Sequence, residues 1–173
     1  TTKQNPVKFA TKILRVAVFG FSTSSSAAAL PLNVKTTTEE LGVDEKIASF
    51  VLPLGMTINM NGTAIMQVVA TLFIAGCAGY DVTLSQLIVI ALLALIASAG
   101  TPAAPGAGAI ILFTILSGLG YINDGALLAY SLILAINRPI EMLVTALNVV
   151  GDSATAIYVA KSEGMLNEDI YNS

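Results

Sequence analysis

Two runs without a single charged residue, 34 residues from Ile47 to Tyr80 and 42 from Val82 to Asn123, bound what this chain can become. Each exceeds the ~20 apolar residues that cross a bilayer. Between Ile47 and Ala160 only Asp81, Asp124, Arg138, Glu141 and Asp152 are ionised; the other 14 charges sit in the remaining 59 residues. With 11% charged residues against a usual ~25%, the chain reads as membrane-embedded and all-α.

Composition removes several chemistries. The 173 residues hold no His, so there is no imidazole base and no Ser-His-Asp triad. Without a nucleophile–base pair the chain is not expected to be an enzyme. Cys77 stands alone and in an apolar run, which predicts a buried small residue rather than a disulfide or metal ligand. A net charge of −3 with scattered basic residues argues against nucleic acid. No cofactor is expected. No secretory signal is evident, and the late first spanning candidate points to a chain cut from something longer.

The apolar runs are broken. Residues 1–40 read as a hairpin of two helices with a polar tip, Thr23-Ser24-Ser25-Ser26-Ala27. Residues 45–80 form a long helix interrupted at Asn59-Met60-Asn61-Gly62. Residues 82–119 form a second hairpin with a Gly- and Pro-rich tip at 100–106, and 124–164 a last long helix with Pro139, Asn148 and Gly151. The order repeats: a hairpin broken by small residues, then a helix with an Asn-x-x-Gly break, expected at 59–62 and again at 148–151. Paired broken helices in corresponding positions point to the central site of a secondary transporter. The polar tail after Lys161 is expected to fray.

If both hairpins return to the side they start from, Lys3, Lys8, Lys12, Arg15, Lys35, Lys46 and Lys161 share one side and Asp81 and Asp124 the other. The positive-inside rule makes the basic side cytoplasmic.

Along the last helix Asn137, Glu141, Thr145, Asn148 and Asp152 fall within an arc of roughly 80° at ~100° per residue. Two carboxylates at membrane depth are costly unless they face a ligand, an ion or a countercharge. Arg138 borders this stripe and can neutralise Glu141, which makes an internal ion pair the structural alternative to a binding site. Asp152 offers hard oxygen suited to a small cation.

These residues resemble the dicarboxylate/amino acid:cation symporter family, the glutamate-transporter superfamily. The matching motifs are Ser24-Ser25-Ser26 with Leu30-Pro31, Thr57-Ile58-Asn59-Met60-Asn61-Gly62-Thr63, Ala97 through Gly108, and Asn148-Val149-Val150-Gly151-Asp152. The resemblance covers the C-terminal half of a family member. It implies an inverted-repeat transport domain moving like an elevator against a scaffold half absent here. That domain works within a homotrimer in the plasma membrane and is gated by the second tip. It further implies one sodium site from Gly55, Asn59, Asn148 and Asp152, and another from Thr57, Ser98, Ala99 and Thr101. Substrate would meet Ser25, Ser26, Thr63, Ala104, Gly108, Glu141, Thr145 and Asn148.

Three departures stand out against the family pattern. Asn61 replaces a usual Asp and puts a third sodium site in doubt. Glu141 is one methylene longer than the usual Asp. Val144 stands where members with acidic substrates carry Arg, which favours a neutral amino acid; an acidic amino acid or dicarboxylate, driven by sodium or protons, is the alternative. A passive conductance, or a non-transporting piece needing a separate scaffold chain, are the competing functions.

Overall fold

The computed structural model describes residues 4–173, so Lys3 of the basic group lies outside them. Asn5 starts the first helix by accepting the Val7 N–H at 2.9 Å, with Pro6 in the first turn, where its missing N–H costs nothing. This helix, α1 (Pro6–Thr23), ends at Ser24, whose φ of 50° lets its N–H reach the Gly20 carbonyl. Ser25 then caps α2 (Ser26–Glu39) through the Ala28 N–H at 3.2 Å. The hairpin reversal is therefore two residues long.

The first long apolar stretch is two helices, α3 (Glu45–Ile58) and α4 (Asn61–Cys77), broken at Asn59-Met60. The second hairpin is α5 (Leu84–Ala99), opened by a Thr83–Gln86 capping box, and α6 (Ala107–Leu119), with an irregular tip between them. After α7 (Asp124–Ile136) comes α8 (Arg138–Ser162), and α9 (Glu168–Asn172) closes the chain. Among the described residues two stretches, 45–77 and 138–162, are long and apolar enough to cross a membrane.

The structure moves one break. Residues 148–151 lie inside α8, which runs unbroken; the interruption is at Asn137, where Pro139 supplies no N–H to the preceding turn. Gly151 serves a different purpose from a helix break. A Cβ there would stand 3.0 Å from Asn59 Nδ2, so the missing side chain lets α8 press against the α3–α4 break.

Two apolar cores hold the helices. Ile13, Val16, Leu52, Val149, Ile157 and their neighbours join α1, α2, α3 and α8. Ile74, Ile90, Leu112, Leu116 and Ala126 join α4, α5, α6 and α7. Polar breaks and tips lie between the two. Outward faces carry exposed apolar residues such as Phe50, Leu84 and Ile96, each at least 70% exposed, a surface suited to lipid or protein rather than water.

The tail is tied down, contrary to the fraying expected of its polarity. Tyr171 is buried, Val43 and Leu166 form an antiparallel bridge, and the Asn167 N–H donates to the Gly42 carbonyl at 2.8 Å. Lys12 Nζ donates to the carbonyls of Glu40, Ile170 and Tyr171 at 2.7 to 3.0 Å, closing the C-terminal ends of α2 and α9 with a cation. Arg15 pairs with Glu40 at 2.7 Å, and Lys161 with Glu168. The Lys161 ammonium, first of all by hydrogen bonding, holds the Glu168 carboxyl below the usual carboxylate range. Cys77, expected to be buried, is exposed at the end of α4.

Candidate functional site

The four stripe residues of α8, Glu141, Thr145, Asn148 and Asp152, and Asn137 at the interruption before it are buried, between 2% and 7% exposed, while Ile140, Leu143 and Leu147 on the other face are open. The stripe meets the α3–α4 break. Asn148 does most of the joining: its Oδ1 accepts the Gly62 N–H at 2.8 Å, and its Nδ2 donates to Thr63 Oγ1 at 3.0 Å. The helix start at Asn61 has no side-chain cap of its own, so α8 supplies that acceptor from outside.

One turn further on, Asp152 is 2% exposed. Its Oδ1 accepts from Asn59 Nδ2 at 2.9 Å, and a Cβ on Gly55 would stand 2.7 Å from that same oxygen. Asn59 Oδ1 in turn accepts from Asn61 Nδ2 at 2.8 Å. Among the described residues no cationic side chain lies within 4.0 Å of the Asp152 carboxylate. A buried carboxylate with a single neutral donor is expensive, and a small cation is the economical remedy. Gly55, Asn59 and Asp152 are thus brought together, with Asn148 one turn away along α8 and turned to Gly62 and Thr63.

The second expected cation group is not assembled in the same way. Thr57 is exposed and its hydroxyl donates to the Leu54 carbonyl of its own helix. Ser98 and Thr101 are buried, yet their hydroxyls donate to Leu95 and Ala97, and Ala99 is exposed.

Towards the start of α8 the two hairpin tips close over a cavity. Ser25 Oγ and the Ala27 N–H both donate to the Ala103 carbonyl, at 3.0 and 3.4 Å, so tip meets tip directly. Thr63, Ala104 and Gly108 line the cavity together with Glu141, Val144, Thr145 and Asn148. Ser26 lines it as well, but Ser25 does not, because its hydroxyl is spent on the cap and the opposite tip. Ser24 takes its place: it faces the cavity, is 2% exposed, and its hydroxyl has no partner. That Ser24 turns inward beside Ser26 while Ser25 does not goes with the left-handed backbone at Ser24, which spacing does not reveal.

The cavity is small, about 30 Å³, room for water but not for an amino acid. Glu141 keeps it so. Its Oε1 accepts the Gly106 N–H of the second tip at 2.6 Å, and its Oε2 is 2.7 Å from Arg138 Nη1. The internal ion pair weighed from the sequence is present; its Glu141 half lines the cavity, while the Arg138 side chain lies behind it, 56% exposed.

The sodium:dicarboxylate symporter family matches residues 1–162. The chain belongs to this family. Within it, human excitatory amino acid transporter 5 is 38% identical over 90% of this chain. Human excitatory amino acid transporter 2 is 36% identical over 94%, and a Caenorhabditis elegans excitatory amino acid transporter 36% identical over 90%. The chain spans between 27% and 30% of the length of these curated relatives. The family is one of membrane transporters rather than enzymes.

Proposed function

We propose that this chain is the substrate- and cation-binding part of a sodium-coupled symporter for an acidic amino acid. Acidic amino acids are the class in which the relatives' amino acids and the family's dicarboxylates coincide. Those descriptions favour this reading over the neutral substrate that Val144 suggested.

The observation that carries the cation is Asp152, a buried carboxylate with one neutral partner. Sodium beside it would neutralise the carboxylate and take backbone carbonyl and side-chain amide oxygens at the Asn59-Met60 break as further ligands. Coupling then has a physical route. Asn148 bonds to Gly62 and Thr63, one turn from Asp152, and also lines the cavity, so ordering the break by sodium orders the wall that substrate meets. The second tip is the movable side of the cavity: it is glycine-rich, irregular between α5 and α6, and held from outside by Glu141, Ser25 and Ala27. The remaining, upstream part of the protein would supply the scaffold and the trimer contacts, in the plasma membrane.

Uptake of aspartate into proteoliposomes containing the full-length protein tests the reading. Accumulation driven by an inward sodium gradient and abolished by its collapse is expected. Gradient-independent equilibration would make the protein a passive conductance instead.

A further inference from the structure

We propose that Arg138 recognises the distal carboxylate of the acidic substrate, with Glu141 positioning its guanidinium at the cavity edge. The assignment rests on the symporter reading above.

An acidic substrate needs a cation, and the cavity wall offers none of its own: Val144, which lines it beside Thr145, is apolar. The other described cations are at the opposite end of the molecule. Lys8, Lys12, Arg15 and Lys161 are bonded to the tail or to Glu40, Lys35 faces Glu39, and Lys46 follows Asp44, whose N–H bonds to Met165. Arg138 alone among them reaches the wall, through Glu141.

The geometry there is already that of a carboxylate receptor. The Glu141 carboxylate sits between Arg138 Nη1 at 2.7 Å and the Gly106 N–H at 2.6 Å. With the site closed, an internal carboxylate fills the place between a guanidinium and the gate. Only Nη1 of the guanidinium is engaged, so most of its five-donor fork stays free for a second carboxylate, and its side chain is 56% exposed. When the tip lifts, Gly106 leaves Oε1. That oxygen can then accept the substrate ammonium while Arg138, still held by Oε2, takes the distal carboxylate. Pro139 supplies no N–H back to the end of α7, so the arginine sits at a junction between two helices.

The test measures competition by aspartate and by serine for sodium-driven uptake, in the full-length protein. Arg138→Ala and Arg138→Gln should weaken aspartate about 10- to 100-fold, the loss of one charge-assisted pair, and serine less than about threefold. Val144→Arg added to Arg138→Ala should restore the aspartate preference, because it places a cation on the same wall. A structural role through Glu141 would move aspartate and serine together, since both present the same ammonium, and that result overturns the proposal. Sodium-driven uptake of serine but not aspartate by the unmodified protein would overturn it while leaving symport standing. Absence of any sodium-driven uptake would instead remove the symporter reading.

Discussion

Glu141 Oε1 accepts the backbone N–H of Gly106 at 2.6 Å, and this single bond joins the buried stripe of α8 to the irregular tip between α5 and α6. Side chains at the tip are Ala, Pro and Thr, none large enough to lock it. The carboxylate therefore acts as a latch on a gate whose other ties are the bonds of Ser25 and Ala27 to the Ala103 carbonyl.

Weakening the latch should open the gate. Glu141→Gln keeps an acceptor but removes its charge, which lowers the strength of the hydrogen bond by about half. A cysteine at Ala103, in a Cys77→Ser background because Cys77 is exposed, should be labelled about tenfold faster with Gln at 141 than with Glu. Labelling should slow in both proteins at saturating sodium and substrate. Equal rates in the two proteins would show that Glu141 does not hold the tip.

Gly55 is needed for the approach of the Asp152 carboxylate. A Cβ there would lie 2.7 Å from Oδ1, closer than side-chain atoms approach without a shift. Gly55→Ala should raise the sodium concentration for half-maximal uptake at least about tenfold, the effect of ~1.4 kcal/mol of displacement, and overpacking of that size is ordinary. An unchanged sodium dependence would separate Gly55 from the cation site.

The end of the molecule that bears the tail rests on Lys12, whose ammonium donates to three main-chain carbonyls. Lys12→Met keeps the stem and loses the donors. Thermal unfolding in detergent should show a loss of about 1.5–3 kcal/mol, the usual worth of hydrogen bonds to a charged group, with release of the tail to proteolysis after Lys161. A tail that stays protected would mean that the bridge at Val43 and the burial of Tyr171 suffice without it.

Much of this architecture is legible in the residues because it is periodic. Asn137, Glu141, Thr145, Asn148 and Asp152 share a face by spacing alone, and all five are buried. Breaks marked by local chemistry, at Asn59-Met60 and in the two tips, lie where Asn, Gly, Ser and Pro accumulate. What misleads is likeness of pattern without likeness of cause. Asn148-x-x-Gly151 looks like Asn59-x-x-Gly62, but its buried asparagine side chain caps another helix and its glycine admits Asn59, so α8 continues. The docked tail is invisible locally, because its partners Lys12, Gly42 and Val43 are more than a hundred residues away. Cys77 sits in an apolar run yet faces outward, since an exposed apolar face is cheap in a chain not surrounded by water.

The central claim is that Asp152 binds the coupling cation, and the sodium dependence of uptake tests it most directly. In the full-length protein Asp152→Asn removes the charge, keeps the shape and preserves an oxygen for Asn59. Sodium activation of aspartate uptake, titrated from low to saturating concentration at constant ionic strength, should shift at least about tenfold, in line with the loss of a buried charge's partner, while assembled protein is recovered in ordinary yield. A sodium activation curve that superimposes on that of the unmodified protein would contradict the account.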